Sequence, residues 1–442
     1  MTWIRSRSNY ACVVLFVWAL APGLRRIVDW RTSFSSISLI SVLPLVALAP
    51  AAYLLLLGRG AGKHLDRRLI YAAWLWLGGF LYAYAVGLAA GNYVSATYAF
   101  VGFTIPLAFA LWLAASDEPA SLVYRRLATT MLGLATALAV YAFYQFAAPP
   151  PWDLAWMQRT KLVSIGIPAP FLFRPFSTLN APGPFADFLI AAILLNLPRM
   201  RQANALRFAQ LALCLGALGI TLVRADWLAL LVGTAAYVAL SPGKARNLSV
   251  VAVLAIVAGL FIANAPALLG SSRAGLDLQG RLDTLSDLQS DTSYRERQRY
   301  FGDALTTAID QPTGEGLGVI GTAAKLGSAG STVDFDNGFI ARFTEMGYFG
   351  TAAYIATLVA TLTLAFRRWR ALSRAGLRDD AGVAAACVAI QLAFFLLDVS
   401  SDHHEQLGGL FYWLSLALIY GRGGVPALET VASSRRRAAF SS

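Results

Sequence analysis

FAQLALCLGALGITLVRADWLALLVGTAAYVAL, running from Phe208 to Leu240, is apolar apart from Gln210, Arg224 and Asp226. As a single helix it would be about 50 Å long, against a bilayer hydrocarbon core of about 30 Å. The stretch therefore has to fold back on itself, and Val223-Arg224-Ala225-Asp226 is its only polar place to turn. Two apolar helices joined by a tight turn, in a chain that is 57% hydrophobic and only 14% charged, define a polytopic membrane protein rather than a soluble enzyme with an anchor.

Outward from this hairpin the same pattern recurs. About twelve helices are expected, over 9–23, 36–57, 69–90, 93–115, 127–147, 183–197, 208–223, 226–241, 248–265, 337–365, 382–399 and 405–421. The fold class is all-α, a single integral membrane domain over residues 1–442. The run Tyr10–Leu20 is read as the first of these helices, not as a cleaved signal. Cys12, Cys214 and Cys387 all fall in apolar runs without metal-ligand spacing, so they read as packing residues. With three histidines in all, no metal site and no cofactor are expected. The net charge of +12 fits the positive-inside rule better than nucleic-acid binding. With the N-terminus inside, the cytoplasmic segments hold 22 of the 36 Lys and Arg and the outer ones 13, and the outer ones gather in long loops where the rule is weak. Both termini then face the cytoplasm.

Two long outer loops remain, 148–182 and 266–336. The first begins with three prolines and reaches the next span through Phe173-Arg174-Pro-Phe-Ser-Thr-Leu-Asn-Ala-Pro-Gly-Pro184. It reads as a rigid connection in which Arg174 could reach a lipid-linked phosphate or sugar. The second holds Ser293-Tyr-Arg-Glu296, a capping box. An apolar stripe of Tyr294, Phe301, Leu305 and Ile309 follows, giving a helix near 294–309. Arg297 borders that stripe on one side and Arg295 and Arg299 on the other. The loop as a whole has six Lys and Arg against ten Asp and Glu, so the arginine cluster is local. An Arg299–Asp303 pair would be its bland explanation.

Three further groups carry potential chemistry. Arg224 sits at the outer turn, where a charge suits phosphate contact or a simple pairing with Asp226. Asp336 and Asn337 open a helix at the membrane border. Either could be an N-cap, and a carboxylate there also suits a general base. Arg342 and Glu345, three residues apart, could pair with each other. His403 and His404, beside Asp398 and Asp402, form a second acid/base candidate.

Taken in order, these segments resemble the bacterial O-antigen ligase and polysaccharide polymerase superfamily. Leu222-Val-Arg224-Ala-Asp-Trp-Leu is similar to that family's "SR" element, with Val223 in place of serine. Arg297-Gln-Arg-Tyr-Phe301-Gly-Asp-Ala-Leu305, followed by Gln311-Pro-Thr-Gly-Glu-Gly-Leu-Gly318, resembles its "R…W..AL…hP..G.GlG" stretch. Asp336-Asn337-Gly-Phe and Glu345-Met-Gly-Tyr-Phe-Gly350 resemble its "HN…E.G..G" element. The likeness covers Arg174 to Phe366. It implies a metal-independent membrane glycosyltransferase of the C-type architecture in the bacterial inner membrane, working on the periplasmic face. Its donor would be a glycan on undecaprenyl pyrophosphate, its acceptor another glycan, and its further partners the bilayer and a chain-length regulator or export proteins. Arg224 and Arg297 would hold the pyrophosphate, with Arg174, Arg295, Arg299 and Asn337 as further binding residues, and Asp336 would act on the acceptor. O-antigen ligases of the family have histidine where Asp336 stands, which favours polymerisation of repeat units over transfer to lipid A core. A transporter or flippase is the alternative of another class, for which a polar, discontinuous helix pair near the bilayer midplane is expected.

Overall fold

The computed structural model describes residues 6–34, 38–58, 65–160, 165–202, 204–242, 311–326 and 337–421. The chain enters with α1 (Arg7–Arg31), α2 (Leu39–Leu56), α3 (Arg67–Ala89), α4 (Tyr93–Ala114), α5 (Ala120–Ala147) and α6 (Pro151–Thr160). It continues with α7 (Pro182–Asn196), a 3-10 turn (Leu197–Gln202), α8 (Ala205–Ile220) and α9 (Arg224–Leu240). The last elements are α10 (Gly321–Ala324), α11 (Gly338–Ala375), α12 (Arg378–Leu397) and α13 (Gln406–Tyr420). Among the described residues there is no strand, only one isolated antiparallel bridge between Gly166 and Phe173. Among the described residues eight helices are long and apolar enough to cross a membrane, and Ala205–Ile220 and Gln406–Tyr420 are shorter apolar helices. The protein is an all-α, multi-pass membrane protein. The span expected over 248–265 lies outside the described residues.

Local chemistry explains some of the ends. Asp66 caps α3 by accepting from the Arg68 amide at 2.8 Å, and Asn204 caps α8 by accepting from the Arg207 amide at 3.1 Å. Gly376, at φ 80°, closes α11 in the left-handed conformation that ends helices. Several boundaries differ from the sequence expectation: α5 begins at Ala120 and not at 127, and α11 runs to Ala375 and not to 365. The first helix does not stop near residue 23 but runs through Pro22 to Arg31, so Arg25 and Arg26 belong to a helix and not to a loop. The first outer loop contains α6, because Pro151 stands at a helix start, where a missing N–H costs nothing.

The chain divides into two compact units. One holds Met1–Ser8, Leu48–Tyr124 and Thr292–Ser442; the other holds Asn9–Ala47 and Arg125–Asp291. In the first unit α11 packs along α3 and α12, and α13 packs on α4 and α12. Helix α13 is buried from Leu407 to Tyr420, on every face. Its 15 residues span about 22 Å, less than the hydrocarbon core of about 30 Å. The loop Asp398–Glu405 that leads into it therefore needs protein partners for its polar groups. In the second unit α7 packs against α8 and α9.

Candidate functional site

The turn between α8 and α9 falls at Thr221–Val223, two to three residues earlier than the sequence suggests. Leu222 takes a left-handed φ of 56°, and Arg224 becomes the first residue of α9 with Asp226 fully buried in its first turn. Val223, where the family has serine, offers no capping side chain. A helix N-terminus favours an anion, and an arginine placed there adds a guanidinium fork suited to phosphate. Arg174 reaches the same turn, its Nε donating to the Thr221 carbonyl at 2.8 Å. Arg174 is itself set by a short return of the chain, with its amide on the Ile165 carbonyl at 2.7 Å and Ile167 on Leu172 at 2.9 Å. Beneath that return Trp156, Met157, Ile165, Phe173 and Phe176 form a small aromatic-rich core. The segment is thus a folded element, and Arg174 bonds the turn that Arg224 follows.

In the other unit the second motif region is a lock between a loop and a broken helix. Helix α11 is interrupted at Gly347, at φ 57° and ψ −161°. The carbonyls and amide released by the break are taken up by Pro312-Thr-Gly-Glu-Gly-Leu-Gly318. Glu315 N donates to Thr344 O at 2.8 Å, Gly316 N to Glu345 O at 3.1 Å, and Tyr348 N to Pro312 O at 3.1 Å. Leu317 N then reaches Ala83 O on α3 at 2.9 Å, and Gly318 N meets Glu345 Oε1 at 2.8 Å. The glycines are needed for approach. A Cβ on Gly316 would stand 2.4 Å from Gly87, and one on Gly318 would stand 2.4 Å from Ser95. Glu345 and the glycine run, separate in sequence, are two halves of one contact. A discontinuous helix is also what a transporter would show; the break in α11 is closed by the chain itself.

Behind this lock lies a buried ionic network. Arg342 is ion-paired with Glu345 at 2.7 Å and hydrogen-bonded to Asp402 at 2.7 Å, with its guanidinium 4.4 Å over the Phe103 ring. The expected Arg342–Glu345 pair is therefore present and extended by Asp402. Glu405, immediately before α13, lies against Gly102 of α4. His404 is fully buried, its Nδ1 2.9 Å from Asp398 and 3.1 Å from the Tyr354 hydroxyl, its ring 4.4 Å from Tyr412. The Tyr354 hydroxyl also bonds Asp398. His403 is nearly buried. These positions suit a structural hub better than an acid/base group open to a substrate.

Asn337 is the N-cap of α11. Its Oδ1 accepts from the Ile340 amide at 3.0 Å and its Nδ2 donates to the Val399 carbonyl at 3.1 Å, while Gly338 N reaches Asp398 O at 2.7 Å. Of the two capping candidates it is Asn337 that does the capping. Arg295, Arg297, Arg299 and Asp336, with the helix near 294–309, lie outside the described residues. Missing from the sequence reading is a second buried ion pair, Arg26 with Asp153 at 2.8 Å. The signal available was Arg25-Arg26 and Asp29 continuing the apolar run beyond Pro22, which reads as a helix end when proline is taken to terminate.

Residues 209–355 match the family model described as O-antigen ligase. The matched stretch begins in α8, includes Arg224 and the glycine run, and ends in α11 beyond the break at Gly347. Over these residues the chain is similar to the O-antigen ligase family, a family of membrane enzymes. No curated protein matches the chain.

Proposed function

We propose, taking that similarity to the O-antigen ligase family as the premise, that this protein polymerises undecaprenyl-pyrophosphate-linked oligosaccharide repeat units at the outer face of a bacterial inner membrane. The observation that carries the reading is the meeting of Arg174 with the turn that opens α9 at Arg224, inside the matched stretch. An arginine that opens a helix, with a second arginine bonded to the turn before it, suits a pyrophosphate. In the reaction an acceptor sugar hydroxyl attacks the anomeric carbon of the donor glycan. The new glycosidic C–O bond forms as the bond to the pyrophosphate oxygen breaks, and undecaprenyl pyrophosphate leaves with the electron pair. The hydroxyl proton passes to Asp336. Arg224, Arg174 and Arg297 offset the charge that grows on the leaving group. Aspartate in the position where the family's ligases have histidine favours chain growth over transfer to lipid A core.

Deleting the gene and characterising the surface glycan tests this reading. Single-repeat products are the expected result. Full-length chains retained on undecaprenyl pyrophosphate would make the protein a ligase, and loss of all external glycan would make it a flippase.

A further inference from the structure

Arg26 is buried to 1% exposure in the middle of its unit, and none of its contacts is explained by the chemistry above. Its Nε pairs with Asp153 at 2.8 Å, Nη1 donates to Asn180 Oδ1 at 3.0 Å, and Nη2 donates to the Ser177 carbonyl. The guanidinium lies 4.8 Å from the Phe176 ring centre. Asp153 accepts in turn from Tyr141 and from Gln145 Nε2, both at 2.7 Å. Gln145 Oε1 accepts from the Phe176 amide at 3.0 Å and the Ser177 amide at 2.9 Å. Ser177 and Asn180 are both held at positive φ, 51° and 65°. Every anchor from α1, α5 and α6 therefore converges on residues 176–180, directly after Arg174. A buried ion pair is a weak source of stability, and here the hydrogen bonds around it, from Arg26 to Asn180 and Ser177 and from Tyr141 and Gln145 to Asp153, fix the geometry.

We infer that Arg26, Asp153 and Gln145 are positioning residues that fix Arg174, and through it the turn at Arg224, for contact with the donor's phosphate groups. This rests on the reading that these arginines hold the donor. The network does not touch the donor; it sets the Phe176–Asn180 backbone, which leaves Arg174 a single direction toward Thr221. Without the anchors the same guanidinium would sample other directions, and binding would bear the ordering cost.

The test is binding of farnesyl pyrophosphate to the purified full-length protein in detergent, for Gln145→Leu, Arg174→Ala and the double variant, with thermal midpoints measured alongside. Gln145→Leu is expected to weaken binding about 10-fold, as the loss of one charge-assisted contact does. Arg174→Ala should do the same, and the double variant should be no weaker than Arg174→Ala alone, because the two changes act through one side chain. Asn180→Gly, which keeps the positive φ and removes only one acceptor of Arg26, should weaken binding about 3-fold at an unchanged midpoint. It also keeps the inference testable if Gln145→Leu does not fold. Unchanged binding in Gln145→Leu or Asn180→Gly, or losses that multiply with Arg174→Ala, would overturn the positioning role. If Arg174→Ala alone binds as the parent does, the donor-contact reading fails and the positioning role falls with it.

Discussion

Replacing Gly347 by alanine attacks the lock between the glycine run and α11. Gly347 stands at φ 57° and ψ −161°, a region held essentially by glycine, where another residue costs about 1–3 kcal/mol. Its added Cβ would also fall 2.2 Å from the Pro312 carbonyl oxygen and 2.5 Å from the Thr313 carbonyl carbon. Both neighbours are backbone, so the loop has to move. Moving it releases Glu315 N, Gly316 N and Tyr348 N from their partners, at about 1 kcal/mol each. The two contributions together come to roughly 4–6 kcal/mol if the loop lets go completely, and roughly half that if it yields in part. Gly78→Ala in α3 is the control. Nothing lies within 4 Å of its Cβ position, so it should be neutral or stabilise by under about 1 kcal/mol. The assay is thermal unfolding in detergent followed by tryptophan fluorescence, with limited proteolysis to report loop release. Gly347→Ala should unfold at a clearly lower temperature and be cut between Pro312 and Ile320. Equal midpoints and equal digestion for the two variants would refute the lock.

Asp336→Asn should leave the thermal midpoint unchanged, since Asn337 already caps α11, yet lower polymerisation of a lipid-linked repeat unit by about two to four decades if the carboxylate is the base; full activity in the folded variant would remove that role. Arg224→Lys keeps a charge but loses the bidentate fork, and should cost about 1.5–3 kcal/mol of transition-state binding, read as a drop in kcat/KM. His404→Ala should lose about 2–4 kcal/mol of stability, by emptying a buried ring site and stranding Asp398, with activity per folded molecule preserved; lost activity at normal stability would restore His404 as an acid/base candidate. For topology, cysteines at the exposed Gln158 and Ser373 should differ toward a membrane-impermeant thiol reagent in spheroplasts, the first labelled and the second silent. Asp153 would be a poor probe site because it is buried against Arg26. Labelling at Ser373 alone would invert the orientation.

Hydropathy and helix-terminus chemistry were enough to place the described spans, because a bilayer demands apolar helices of a fixed minimum length and local residues stop them. The hairpin around Arg224 needed only the length of Phe208–Leu240 and one polar turn. Motif order likewise made Arg224, the glycine run and Glu345 legible as parts of one family resemblance. The sequence did not reveal what these residues touch. That Asn337 rather than its neighbour caps α11, that Glu345 closes on the amide of Gly318, and that His404 is a buried hub all depend on contacts between segments far apart in the chain. Arg26 shows the limit most clearly. In sequence it is one more positive charge near an expected helix end, while in the fold it is the buried centre from which the Arg174 segment is held. Length, composition and local capping act within a few residues and can be read along the chain. Which buried charge meets which carboxylate is decided only when the helices pack, because desolvation then penalises a buried charge left without a partner.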